Sequence, residues 1–348
     1  MPRCSRTRQR GSTAELMIRD PHVEAEALSR GSDSPASPTM STIRLMRPVL
    51  STSQKEQTMV DAGKRVLVAG ATGYVGRHVI ARLHDEGFIV RAVVRDKARA
   101  CAPGAYDAPA LAALVDEWVI APEGEVDLGP DVMSGVDHVI SALGVTRQKA
   151  DPWTIDFLLN LRFLELAEQA EVDSFLYVGV MNAASGTSAV SRAKHAFMEA
   201  LSRSRVVPQI VDPSGYFSDL TEIYDLARRG MAFGLGDGSV RLSPIHGADL
   251  ADFCVSRLGG SAGSWNVGGP ETLTYREIVR IAFEAAGKKP RYTRVPGPFA
   301  SAAVWTADRI SPRAGSLTRF FLDGMQTDSV GDPHGTHTLA DYYAALAR

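Results

Sequence analysis

Three glycines spaced three apart, in Gly70-Ala71-Thr72-Gly73-Tyr74-Val75-Gly76, carry the strongest chemical signal in the chain. Glycine permits a tight turn and lets the backbone approach a bound group closely. The free N–H groups of a helix that follows then face phosphate oxygens. The pattern departs from strict G-x-G-x-x-G at Ala71, but an apolar run precedes it and an amphipathic stretch follows, which is the setting such a loop needs. All seven residues are candidates for holding a dinucleotide. The next apolar run ends Val93-Val94-Arg95-Asp96-Lys97. An acid there binds the ribose hydroxyls of NAD, whereas a planar cation suits the 2′-phosphate of NADP. Arg95 favours NADP, with a solvated surface charge as the plain alternative, and Asp96 keeps NAD possible. The third candidate is Lys194. It borders a helical apolar face made by Val190, Ala193, Phe197, Met198 and Leu201, so it suits proton handling, cofactor anchoring or mere solvation.

These residues need a scaffold, and the pattern from Lys64 onward supplies one. Apolar runs at Arg65–Ala69, Phe88–Val94, Trp118–Ile120, Asp137–Ile140, Phe175–Val178 and Gln209–Val211 read as strands. Between them Tyr74–Glu86, Ile155–Ala170 and Ala189–Ser204 read as helices, the first stopped by Gly87. This β-α-β-α order predicts an α/β fold with a doubly wound parallel Rossmann sheet over residues 64–212. After Pro213 the pattern loosens. Gly234–Gly238 is turn-rich, Ala248–Leu258 is a helix, and Trp265-Asn266-Val267 is a strand. Thr274-x-x-Glu277 is a capping box for a helix ending at Gly287, Pro290–Pro298 is loop or edge strand, and Leu339–Leu346 is a last helix. Residues 213–348 are expected to form a smaller α/β substrate lobe, interleaved with the core, that closes over the ligand edge of the sheet.

Residues 1–63 contain no aromatic residue and are rich in Ser and Thr, so they are expected to be disordered, with a start at Met40, Met46 or Met59 as one explanation. Arg3, Arg6, Arg8 and Arg10 hint at a targeting peptide, but acids follow closely. The 38 basic residues against 40 acidic ones argue against a nucleic-acid-binding face, and no apolar run reaches the length of a membrane span. Cys4, Cys101 and Cys254 fit no disulfide framework and no zinc site, which suits a reducing, cytoplasmic setting. The expected partner is a small-molecule substrate, and oligomeric state is not readable. No metal is expected: His246 has no ligand partner near it in sequence and reads as a structural histidine, while Asp249 reads as a helix cap. Cys254 lies on an apolar stripe and reads as inert core.

With these residues in hand, the chain from Lys64 onward resembles the atypical, extended short-chain dehydrogenase/reductases, more narrowly the NmrA-like and complex-I 39-kDa-subunit-like NAD(P)-binding groups. The landmarks are the glycine loop, Val94-Arg95-Asp96, Val139-Ile140-Ser141-Ala142-Leu143-Gly144, Arg192-Ala193-Lys194, Pro213-Ser214-Gly215-Tyr216-Phe217, Pro244–Ala251 and Trp265–Gly269. The resemblance implies that Ser141, Ala142 and Leu143 line the adenine and ribose side of the cofactor, and that Pro213, Gly215 and Tyr216 sit near the nicotinamide. It also marks Lys194 as the lysine of a Tyr-x-x-x-Lys pair. The tyrosine position holds Val190, the usual serine position holds Gly179, and Asp212 stands where the family often has arginine. The expected activity is NADPH-dependent hydride transfer to a small organic substrate. A non-catalytic NADP(H)-binding redox sensor or assembly factor is the alternative, and a nucleotide-sugar epimerase fits least, because the triad is broken twice.

Overall fold

The computed structural model describes residues 63–121, 128–145, 151–311, 319–320 and 322–348. By its contacts the chain parts into Met1–Val49 and Leu50–Arg348, and every described residue lies in the second unit. The expectations about a disordered extension and a later start therefore fall outside the described residues, Gly63 excepted.

The first half alternates as the apolar runs require. Strand β1 (Arg65–Ala69) leads to helix α1 (Tyr74–Asp85), then β2 (Ile89–Val94), the short α2 (Lys97–Cys101), β3 (Glu117–Ile120) and β4 (His138–Ser141). A π-helical segment, Trp153–Leu159, runs into α3 (Asn160–Gln169) and is followed by β5 (Ser174–Val178), α4 (Ala189–Ser202) and β6 (Val207–Pro213). The helix expected over Ile155–Ala170 thus begins two residues early and in a wider spiral.

Eight strands pair in the order β12-β9-β6-β5-β4-β1-β2-β3, all parallel, with β9 (Gly263–Gly268) and β12 (Asp332–Pro333) extending the sheet beyond β6. Side chains alternate across β1. Val66 and Val68 join α1 and α6 (Gly247–Arg257) on one face, while Leu67 and Ala69 join α3 and α4 on the other. A strand covered on both faces must be apolar throughout, which is why β1 reads as a continuous run.

A third apolar cluster joins α5 (Phe217–Arg228), α7 (Tyr275–Ala285) and α9 (Leu339–Leu346) through Phe217, Tyr224, Ile278, Phe283 and Tyr343. Two small sheets sit with it: β8 (Arg241–Leu242) pairs antiparallel with β10 (Leu273–Thr274), and β7 (Phe233–Leu235) pairs parallel with β11 (Thr293–Val295). The expected turn at Gly234 is therefore strand as far as Leu235. Helix α8 (Gly297–Ile310) takes the end of the stretch read as loop. The capping box is present in full, with Thr274 accepting from the Glu277 N–H and Glu277 accepting from the Thr274 N–H.

Candidate functional site

Strand β1 lies between β2 and β4, so the chain crosses over in opposite directions on its two sides, and a crevice opens at the carboxyl ends of the strands. The glycine loop occupies that point. Gly70 adopts φ +78°, and a Cβ there would stand 2.6 Å from the Ala142 carbonyl carbon. Gly73 N–H donates to Gly70 O at 3.0 Å, and a Cβ on Gly76 would strike Gly70 O. The loop is thus as tight as backbone permits. Helix α1 starts at Gly73 with no side-chain cap and no acid in its first turn, leaving its N–H groups and positive dipole end for an anion. These features fit a dinucleotide pyrophosphate.

Arg77 braces the loop. It is 3% exposed, and its guanidinium donates to the carbonyls of Thr72, Arg99, Ala100, Ala102 and Pro109. It therefore ties the glycine loop to the segment after β2, where Arg95 and Asp96 stand. Arg95 is exposed. Asp96 is the N-cap of α2, its carboxylate accepting from the Arg99 N–H at 3.0 Å. Arg77 was not singled out from sequence, although an arginine among the buried residues of α1 is a visible signal.

Across β1, Ser141 is fully buried and donates to Asn160 Oδ1 at 2.5 Å, so its side chain is turned away from the crevice, contrary to the lining role the resemblance implies. Ala142 and Leu143 continue as loop against Gly70. Beneath them Lys194, 8% exposed, is boxed in. Its Nζ lies 3.0 Å from Asp156 Oδ1 and donates to Tyr177 OH at 3.3 Å and Leu143 O at 3.5 Å. Gly144 leaves room for the pair, since a Cβ would lie 3.1 Å from Nζ. Burial alone lowers the lysine pKa, but the neighbouring Tyr177 and Asp156 reverse this, and Lys194 is held as an ammonium above its ordinary value. This runs opposite to the downward shift that a general-acid lysine requires. Burial pushes the Tyr177 hydroxyl up to about 12.

The two vacated triad positions are filled by packing. Val190 is fully buried in the core. Gly179 follows β5, and the space its side chain would take holds Asp212 Oδ1 from β6. That oxygen is buried without a hydrogen-bond partner, and burial pushes the carboxyl up to about 7 against the Lys194 ammonium and the Val180 N–H. Pro213 and Gly215 lead from β6 to Tyr216, which is half-buried, with its ring 6.4 Å from that of Tyr74. Burial also raises the Tyr216 hydroxyl, which keeps it protonated.

One expectation needs correction nearby. Asp249 does not cap α6; His246 does, its Nδ1 accepting from the Ala248 N–H at 3.2 Å. Asp249 instead accepts from the N–H groups of Thr336 and His337 and from His337 Nδ1 at 2.7 Å, pinning the C-terminal loop. His246 is buried as expected, but the fold brings it partners the sequence does not. Its Nε2 lies 2.9 Å from Asp107, and His78 joins the group within 4.8 Å. Cys254 is fully buried, with its thiol pushed up to about 12 by burial, as inert core requires. Asp156 and Tyr177 are the site residues that sequence reading missed.

A crossover-point glycine loop on a parallel sheet defines a dinucleotide-binding α/β protein. The sequence pattern of the NAD(P)H-binding family matches residues 70–259, and the chain belongs to that family. It is similar to the chloroplastic divinyl chlorophyllide a 8-vinyl-reductase of Oryza sativa subsp. indica, 26% identical, with 86% of this chain and 83% of that one covered. It is also similar to the mitochondrial NADH dehydrogenase (ubiquinone) 1 alpha subcomplex subunit 9 of Arabidopsis thaliana, 25% identical, with 69% of this chain and 62% of that one covered. Among solved structures, an NADPH-dependent quinone oxidoreductase from Escherichia coli, complexed with NADPH, shares the fold with a TM-score of 0.62 and 18% identity, covering 81% of this chain and all of that one. No described helix is long and apolar enough to cross a membrane.

Proposed function

We propose that the chain is an NADPH-dependent oxidoreductase acting on a small organic acceptor. The observation that carries this reading is the Lys194 ammonium, held by buried Asp156 at the carboxyl edge of the sheet beside the glycine loop. A buried ion pair adds little to stability by itself, so an ammonium fixed in that place is better explained by what it meets there. Gly70, Ala71, Thr72, Gly73, Tyr74, Val75 and Gly76 would hold the pyrophosphate, and Arg95 the 2′-phosphate. NADP is favoured over NAD because the carboxylate of Asp96 is already spent as a cap. Ala142, Leu143, Pro213, Gly215 and Tyr216 would line the crevice on either side. Bound NADPH supplies a hydride. Lys194 would anchor the ribose and steady negative charge developing on the acceptor, and the balancing proton would come from water. The free thiols Cys101 and Cys254 support a reducing, cytoplasmic setting.

One observation favours the second reading, a cofactor-binding regulator or assembly factor without turnover. Val190 and Gly179 are closed by packing, so no serine–tyrosine pair can be rebuilt at those positions. The experiment is a titration with NADPH and NADH by reduced-cofactor fluorescence, with Arg95→Ala alongside, then oxidation of bound NADPH by a panel of quinones and activated alkenes. NADPH is expected to bind more tightly than NADH, Arg95→Ala to weaken NADPH selectively, and Lys194→Met to lose turnover. Equal binding of the two cofactors would refute the Arg95 assignment. Tight binding with no acceptor reduced would favour the regulator.

A further inference from the structure

A cavity of about 720 Å³ opens between β7, β11, Arg319 and the segment Leu322–Gln326, away from the glycine loop. Its walls mix polar and apolar surface, the apolar part coming from Leu235, Val240, Val295, Leu322 and Met325. Four charged side chains also line it, and three are already satisfied within the fold. Asp237 accepts from Ser239 N–H at 3.1 Å and Ser239 Oγ at 2.6 Å. Asp323 accepts from Thr187 N–H and Thr187 Oγ1, both at 3.0 Å. Arg319 forms a two-pronged pair with Asp308. The fourth, Arg294 on β11, is exposed and makes no hydrogen bond or ion pair among the described residues, and its charge is felt by Tyr292. A guanidinium with no protein partner, set beside Leu235 and Val295, is a recognition element for a planar anion, since its fork of donors matches a carboxylate.

We infer that this cavity binds an apolar organic acid, with Arg294 clasping the acid group and Leu235, Val240, Val295, Leu322 and Met325 covering the hydrocarbon. The two remaining carboxylates on the rim argue against a nucleoside diphosphate, which would bring two or more negative charges beside Asp237 and Asp323. The cavity also communicates with the site above. Thr187 lines it and is followed by Ser188, whose Oγ accepts from the Ser191 N–H to cap α4, the helix that carries Lys194. Asn182, in the same loop, donates to Asp328 O at 3.0 Å. Identifying this ligand as the hydride acceptor rests on the proposed oxidoreductase reading, whereas its binding here does not.

The probes are 1-pyrenebutyrate, an apolar aromatic carboxylate with its own fluorescence, and the uncharged 1-pyrenebutanol, each titrated into the full chain with and without saturating NADPH. Pyrenebutyrate is expected to bind at least tenfold more tightly than the alcohol. Arg294→Met should remove most of that difference, as loss of a charge-assisted, two-pronged contact requires, while NADPH binding stays as in the wild type. Val240→Asp is expected to weaken both probes, and Arg294→Lys to restore part of the preference for the acid. Equal binding of acid and alcohol, an unchanged affinity in Arg294→Met, or displacement of the probe by UDP at lower concentration than by a second apolar acid would each overturn the inference. Failure of NADPH to bind, with the probe preference intact, would instead overturn the oxidoreductase reading alone.

Discussion

Asp212 gives the sharpest test of the electrostatics at this site. Its ordinary pKa is 3.8, and burial raises it to about 7. The native chain therefore holds a proton that the unfolded chain has released, so stability falls as pH rises from about 4 to about 7. Three pKa units correspond to about 4 kcal/mol at 1.36 kcal/mol per unit, an upper figure reached only above pH 7. The structural basis is local. One oxygen lacks a partner, the Gly179 backbone lies against it, and the nearest cation, Lys194, is already paired with Asp156. Asp212→Asn keeps the shape and an acceptor for the Val180 N–H but removes the titration. Urea unfolding of both proteins at several pH values from 4.5 to 8.5 reads the difference directly. The variant should gain on the wild type by about 1.4 kcal/mol per pH unit between pH 5 and 7, then level off. A difference that stays constant with pH, or a variant that loses ground as pH rises, would refute the argument, because it would mean that Asp212 is ionised and satisfied in the native state.

Two further perturbations follow from the same geometry. Asp156→Leu or Lys194→Met alone should each cost about 3 kcal/mol by stranding the other charge, whereas the double variant should cost clearly less than their sum; additivity in unfolding experiments would show the two are not paired. Arg77→Met leaves five backbone carbonyls without their donor and should lower stability by about 3 kcal/mol or more, with NADPH affinity falling in parallel; unchanged cofactor affinity would show that the brace does not shape the loop.

The strand–glycine loop–helix unit was legible because its signals are local. Strand β1, the loop and α1 are contiguous, and glycine spacing records backbone constraints that act within seven residues. The core strands were legible because burial on both faces demands unbroken apolar runs. The residues around Lys194 were not, because each comes from a distant part of the chain. Asp156 lies 38 residues earlier on a π-helical segment, and a lone acid there resembles any surface charge until the fold closes over it. The same holds for Asp249, which read as a cap but is used by His337, 88 residues away. Strand β7 escaped because it is only three residues long and is defined by pairing with β11, which lies in the stretch read as loop or edge strand. Helix α8 begins at Gly297-Pro298, residues that read as loop.

The broken triad and the intact lysine are parts of one arrangement. In a Tyr-x-x-x-Lys helix the tyrosine lies one turn before the lysine and shares its face. Here that position is Val190, pressed into the core, and the phenol beside Lys194 comes instead from β5, as Tyr177. Tyr177 is fully buried, so it cannot reach an acceptor in the crevice; it can only help fix the ammonium. Asp156 supplies the counter-charge, and Nζ also makes a long contact, 3.5 Å, with Leu143 O on the loop that borders Gly70. The lysine is thereby linked through backbone to the glycine loop, and its charge is fixed near the cofactor edge while proton delivery from the protein is curtailed. That combination suits acceptors whose reduction needs charge stabilisation more than an internal acid, such as quinones and conjugated alkenes, and disfavours unactivated ketones. Turnover that is faster for a quinone than for a simple ketone, and that is abolished for both by Lys194→Met, would bear this out; efficient ketone reduction would require an internal acid that these buried groups do not offer.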